Sequence, residues 1–183
     1  MGKKYDKAEI QVWTPLIGFE KTDEDKGAKG MLGNIPFTPD VISAFCYNID
    51  IILQHPGMDE EIVLPPDMCS YAASERNGFR ERQEWTNYDL RDLIKNLNKE
   101  GTEVYLNIMG NRNDSRYHDE WIFHHPEIMY DEADAKGSLN VFRRFKEGGF
   151  FEDYLIDKLC ETLEDYGFAG FLPTDLVCVW NQK

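Results

Sequence analysis

Short apolar runs alternate with longer amphipathic stretches along this chain. Four of the apolar runs predict buried β-strands, because they are short and rich in β-branched or aromatic residues. These strands are predicted at residues 10–17, 49–53, 103–109 and 168–172. Three intervening stretches predict helices, so the element order is β-α-β-α-β-α-β. Helical crossovers of this length join parallel neighbours, and the sequence therefore predicts an α/β fold of parallel β/α units.

Each predicted helix has its own end signals. The first begins at residues 38–40, where Thr-Pro-Asp supplies an N-cap, a proline at N1 and an acid in the first turn. Its apolar face comprises Val41, Ile42, Phe45 and Cys46. The second has leucine and isoleucine at i, i+3, i+4 and i+7 from residue 90, a cap at Thr86 or Asn87, and Gly101 at its end. The third helix covers residues 149–166 and closes at Gly167.

The links between these elements differ systematically in length. Every strand-to-helix link is long, including a predicted loop at residues 18–37, whereas every helix-to-strand link is short. In parallel α/β folds the strand-to-helix links gather at the carboxyl ends of the strands, where ligands bind. We therefore expect the functional side chains at that edge.

Composition narrows the class of protein. The chain has 183 residues, of which 42% are hydrophobic, and a formal net charge of −14. We expect one domain over residues 1–183, and the acidity argues against nucleic acid or an anionic membrane as partner. The beginning of the chain contains no apolar signal region, and the four cysteines lack close spacing, which favours reduced thiols and a cytoplasmic location. No glycine-rich nucleotide fingerprint follows any strand.

Three segments carry a family resemblance. Residues 165–172 read Asp-Tyr-Gly-Phe-Ala-Gly-Phe-Leu and lead to Asp175, and residues 89–105 run from a helix through glycine into an apolar strand. Both resemble the corresponding steps of (β/α)8 glycoside hydrolases. Residues 121–127, which include His-Pro-Glu, are similar to a loop that such enzymes carry after strand three. Ala169 stands where the family motif usually has aspartate.

The resemblance implies the N-terminal half of a TIM (β/α)8 barrel, because a complete barrel needs about 250 residues and eight strands. It implies that Asp175 is a catalytic carboxylate at the end of strand four. Glycoside cleavage needs a second carboxyl group, which would come from a later strand in a missing C-terminal half. The resemblance implies no cofactor and no metal.

Four further residues are candidates for binding a carbohydrate substrate. His55 follows the predicted second strand, Asn107 ends the third, and Arg112 and Trp121 lie in the long loop after it. Polar side chains suit hydroxyl recognition, and an aromatic face packs against a sugar ring. The alternatives are a histidine bonded to the backbone, a solvated loop, and an aromatic ring that holds the long loop in place.

Two other classes of protein remain open. A half barrel without its second acid could be a non-catalytic carbohydrate-binding or assembly domain, whose edge strands a homodimer or the missing half would cover. A metal-dependent hydrolase could use His118, His124 and His125 with their acidic neighbours, although this spacing fits no standard zinc pattern.

Overall fold

The computed structural model describes residues 9–46, 48–69, 83–108, 117–130 and 139–173. Its four strands form one sheet in sequential order, and each neighbouring pair is parallel. The strands are β1 Gln11–Pro15, β2 Val41–Cys46, β3 Glu103–Ile108 and β4 Gly170–Pro173. This arrangement confirms the predicted α/β class with parallel, mutually adjacent strands.

The helices form a layer against this sheet. They are α1 Ala28–Gly33, α2 Asp50–Leu53, α3 Pro66–Cys69, α4 Asn87–Lys99 and α5 Phe151–Tyr166, with 3₁₀ turns at Leu16–Gly18, Trp121–His124 and Pro126–Ile128. Helix α4 contacts α1 and α5 as well as β3. Among the described helices, none combines the length and the apolar character that crossing a bilayer would require.

The two faces of the sheet have different surroundings. Ile42 and Val104 are neighbours in the β2–β3 register and are fully buried. They belong to the hydrophobic cluster that also contains the apolar stripe of α4, namely Leu90, Leu93, Ile94 and Leu97. Trp13 and Ser43 are neighbours at the next register position, on the opposite face, where Trp13 is 53% exposed and Ser43 is fully buried. Because strand side chains alternate between faces, the core lies on the helix side.

The predicted second helix and third strand are confirmed. Thr86 Oγ1 accepts the Asp89 N–H at 3.1 Å, and the Asp89 carboxylate accepts the Thr86 N–H at 3.1 Å, which is a reciprocal capping box. Gly101 and Gly167 follow α4 and α5 with φ of 87° and 78°, a left-handed conformation that glycine adopts without a steric cost.

Two neighbouring predictions were wrong. Residues 41–46 form β2 instead of a helix, and residues 50–53 form α2 instead of a strand. Both runs are apolar at most positions, and short runs of this kind fit a buried strand and a buried helical turn equally well. Tertiary pairing decides between them. Strand β2 is held by β1 and β3, whereas the Asn48 side chain accepts the Asp50 N–H where α2 begins.

Helix α1 lies in the segment predicted as a loop. It begins after Gly27, whose φ is 80° and where an added Cβ would stand 2.2 Å from the Glu20 backbone nitrogen. Glycine is therefore required there. Two further glycines within its six residues weaken helix propensity, so α1 depends on its packing, in which Ala28 is fully buried.

Candidate functional site

The carboxyl end of β2 leads into a buried polar cluster. Asn48 lies two residues beyond β2, and its Nδ2 donates to Asp67 Oδ2 at 3.0 Å and to Glu120 Oε1 at 2.9 Å. The backbone N–H of Asn48 also donates to the Asp67 carbonyl at 3.2 Å. We call Asn48, Asp50, Asp67, His118 and Glu120 the carboxylate–histidine cluster. A single amide thus joins three segments that are distant in sequence.

Helix α2 positions the third carboxylate of the cluster. The Asp50 N–H donates to Asn48 Oδ1 at 2.9 Å, which caps the start of the helix. Asp50 Oδ2 accepts hydrogen bonds from Gln54 Nε2 at 3.0 Å and from the Trp121 N–H at 3.1 Å, and it lies 2.9 Å from His118 Nε2. These contacts hold the loop after β3 against α2.

His118 lies between two carboxylates. Its Nε2 contacts Asp50, its Nδ1 lies 3.4 Å from Asp67 Oδ1, and its side chain is 11% exposed. Burial alone would lower the pKa of this imidazole. The hydrogen bonds and negative charges of Asp50 and Asp67 outweigh burial and raise the pKa of His118 to about 9. In the absence of a bound cation, the ring is therefore an imidazolium at neutral pH.

The cluster contains more acid than base. Asp50, Asp67 and Glu120 are each at most 5% exposed, so three carboxylates face one imidazole in a buried space. Buried carboxylates are stabilised by hydrogen bonds, by cationic side chains or by metal ions. This chemistry is suited to holding a cation or to moving a proton between an acid and an imidazole.

Asn107 and Trp121 lie at or near the predicted edge. Asn107 is the penultimate residue of β3, is fully buried, and neighbours Leu172 in the register with β4. The Trp121 ring stacks on His125 at a centroid distance of 3.9 Å and on Tyr154 of α5 at 5.3 Å. This packing agrees with the alternative to sugar binding, in which the Trp121 ring holds the long loop in place. Here the ring holds the loop against α5.

His55 lies elsewhere than predicted. It follows α2 rather than a strand, and its Nε2 lies 2.7 Å from Asp165 Oδ2 in the last turn of α5. Its ring also packs against Tyr166. That turn leads into the amino end of β4, so the structure does not bring His55 to the carboxyl edge with Asn107.

Asp175 and Arg112 lie outside the described residues. Strand β4 ends at Pro173, two positions before Asp175, and β3 ends at Ile108, four positions before Arg112. The catalytic role of Asp175 and the binding role of Arg112 remain predictions.

The three loop histidines of the metal-dependent alternative do not meet. His124 forms an exposed pair with Asp119 at 2.6 Å, and His125 packs on Trp121, whereas His118 alone enters the carboxylate–histidine cluster. A surface ion pair therefore accounts for His124, and stacking on Trp121 accounts for His125. The histidine grouping that this alternative requires is not found.

Sequence reasoning did not single out Asn48, Asp50 or Asp67. A usable signal was Asp50 itself, a charged residue within the apolar run at residues 49–53. A carboxylate in such a run must find partners when it is buried, which indicates a polar site. Its partners, however, come from segments whose positions depend on the fold.

Comparisons with protein-family models and with curated proteins found no match for this chain.

Proposed function

We propose that this chain is a glycoside hydrolase-like domain with the architecture of the N-terminal half of a (β/α)8 barrel, acting on an oligo- or polysaccharide. The observation that carries the proposal is the strand order. Four parallel strands in sequential order against a layer of helices are what half of such a barrel contains. Gly101 and Gly167, which belong to the segments that carry the resemblance, both stand between a helix and the next strand.

The substrate would bind at the carboxyl edge of the sheet. Asp175, which follows β4 in the sequence, would be the catalytic carboxylate and would act as the nucleophile. Arg112 would bind sugar hydroxyls, whereas Asn107 is omitted from this site because it is fully buried. His55 is omitted from this site because it contacts the last turn of α5. Trp121 would support the loop rather than stack on sugar.

A non-catalytic binding or assembly domain is the second candidate, and the two edge strands of the sheet favour it. Trp13 is half exposed on the face away from the helices, and β1 and β4 each have one neighbour among the described strands. A second copy of the chain or a C-terminal half would cover these edges. Light scattering of the purified chain would detect a second copy as a species larger than the monomer.

Saturation-transfer NMR against a panel of neutral oligosaccharides tests the carbohydrate proposal. We expect binding that Arg112→Ala weakens about tenfold, which corresponds to one hydrogen bond to a charged group. Arg91→Ala is the matched control, because Arg91 lies on α4 and pairs with Asp92. Binding of no oligosaccharide, or equal binding by the Arg112→Ala variant, would overturn the proposed function.

A further inference from the structure

We propose that Asp67, His118 and Glu120 form a binding site for one divalent first-row metal cation. One ligand atom from each residue lies within 4.8 Å of the other two. Tetrahedral ligand atoms that are each about 2.0–2.2 Å from a cation are about 3.3–3.6 Å apart, so the three ligand atoms would move towards one another by up to about 1.5 Å on binding. This proposal does not depend on the proposed carbohydrate function being correct.

The surroundings of His118 match those of a metal-binding histidine. Such a histidine usually donates its second ring N–H to a carboxylate, which orients the ring and strengthens the ligand. Asp50 Oδ2 lies 2.9 Å from His118 Nε2, whereas Nδ1 is 3.4 Å from Asp67 Oδ1. The closer contact assigns Nε2 to the orienting carboxylate, and Nδ1 is the nitrogen that would bind the cation.

Asn48 orients the two carboxylate ligands. Its Nδ2 donates to one oxygen of Asp67 and to one oxygen of Glu120, so the same amide contacts both carboxylates. Outer contacts of this kind are a regular part of metal sites, because they place the ligands before the ion arrives. Asn48 and Asp50 together therefore supply a second shell around the three ligands.

Burial and charge support the same conclusion. Asp50 is fully buried, and its Oδ1 has no hydrogen-bond partner within the part of the chain that the structure describes. With Asp67 and Glu120 it forms a buried group of three carboxylates next to one imidazole. A divalent cation would balance this charge more completely than a single proton on the ring does.

The ligand types indicate which cations would bind. Two carboxylates and one imidazole are oxygen and nitrogen ligands without thiolate, a set that suits Mn²⁺, Fe²⁺ or Zn²⁺ better than Cu⁺. Mn²⁺ and Zn²⁺ are the probes of choice, because both are stable in air and Mn²⁺ can be followed directly by its paramagnetism.

A second group with similar spacing provides a control. His55, Glu161 and Asp165 also offer three ligand atoms within 4.8 Å. In this group Glu161 is exposed, Asp165 is one-third exposed, and Lys158 Nζ lies 2.6 Å from Glu161 Oε2. A lysine ammonium that already pairs with one ligand disfavours a cation there. Asp67→Asn, in the proposed site, and Asp165→Asn, in the second group, are therefore matched substitutions.

The test is titration of the chelator-treated chain with Mn²⁺, followed by electron paramagnetic resonance, and with Zn²⁺, followed by calorimetry. We expect one cation per chain and a melting temperature roughly 5–10 °C higher at a hundredfold excess over Kd. Asp67→Asn should weaken binding about tenfold or more, whereas Asp165→Asn should bind like the unmodified chain. Far-UV circular dichroism establishes that both variants are folded.

A localising measurement covers the case in which Asp67→Asn does not fold. Substoichiometric Mn²⁺ should broaden the imidazole NMR signals of His118 before those of the exposed His124, with the signals assigned by His118→Asn and His124→Asn. Binding below about a tenth of an equivalent would overturn the proposal. Loss of binding in Asp165→Asn rather than Asp67→Asn, or selective broadening of His55, would also overturn it.

Discussion

Replacing Asn48 by aspartate exchanges one NH2 group for an oxygen at the centre of the carboxylate–histidine cluster. The change conserves side-chain shape almost completely. It removes the donor that now serves Asp67 and Glu120, and it places an oxygen of a fourth carboxyl group at the 3.0 and 2.9 Å distances that the amide nitrogen has. The substitution therefore tests whether these contacts stabilise the fold as the structure indicates.

The expected cost follows from two terms. The introduced acid avoids repulsion by holding a proton, which costs about 4 kcal/mol at pH 7 for a group with an ordinary pKa near 3.9. The protonated form donates to only one of the two neighbours, so one charged hydrogen bond worth about 1.5–3 kcal/mol is lost. The sum of about 5–7 kcal/mol is comparable with the whole stability of a typical domain, about 5–15 kcal/mol.

The penalty should depend on pH in a defined direction. The folded variant binds a proton that the unfolded variant releases, so the penalty decreases by about 1.4 kcal/mol for each unit by which pH falls towards 4. Between pH 7 and pH 5 the difference from the unmodified chain should shrink by about 2.7 kcal/mol. Urea unfolding followed by far-UV circular dichroism in the presence of chelator measures both values.

Asn98→Asp is the control for this experiment. Asn98 is exposed on α4, so its substitution should change stability by less than about 1 kcal/mol at either pH. The reasoning is refuted if Asn48→Asp unfolds within 1 kcal/mol of the unmodified chain at pH 7, or if its penalty does not shrink at pH 5.

Two further predictions concern helix ends. Burial alone would raise the pKa of Asp89, but Lys26, the Thr86 N–H and Lys21 outweigh it and lower the pKa. The stabilisation is therefore present at neutral pH and lost as pH falls through the lowered pKa. Asp89→Asn should be less stable than the unmodified chain at pH 7 and equal to it in strong acid, and an equal difference at both pH values in urea unfolding would contradict this. Gly167→Ala should cost about 1 kcal/mol because φ is 78° there, whereas Gly30→Ala within α1 should be neutral or stabilising by up to about 1 kcal/mol. Equal effects of the two alanines on the urea midpoint would refute that assignment.

Elements with local signals could be predicted from the sequence. Helix α4 has a complete apolar stripe, a capping residue at Thr86 and a terminal glycine at position 101, and all three were found where predicted. The α/β class and the parallel order were predicted correctly from an alternation of elements, although the second strand lies at residues 41–46 rather than at 49–53. Residues 41–53 could not be assigned correctly, because an apolar run that is shorter than two helical turns has no period that distinguishes strand from helix.

Only the tertiary structure decided the composition of the carboxylate–histidine cluster and the location of His55. Asn48 meets Glu120, and His118 meets Asp50, across some seventy positions of chain, as the separations of 72 and 68 residues show. The local sequence pattern carries information about residues within one or two helical turns of each other. It therefore shows that Asp50 lies in an apolar run, but it does not show which side chains compensate the charge of Asp50. The packing of α2 against the loop after β3 determines these partners, because a buried carboxylate is stable only where the fold supplies hydrogen-bond donors.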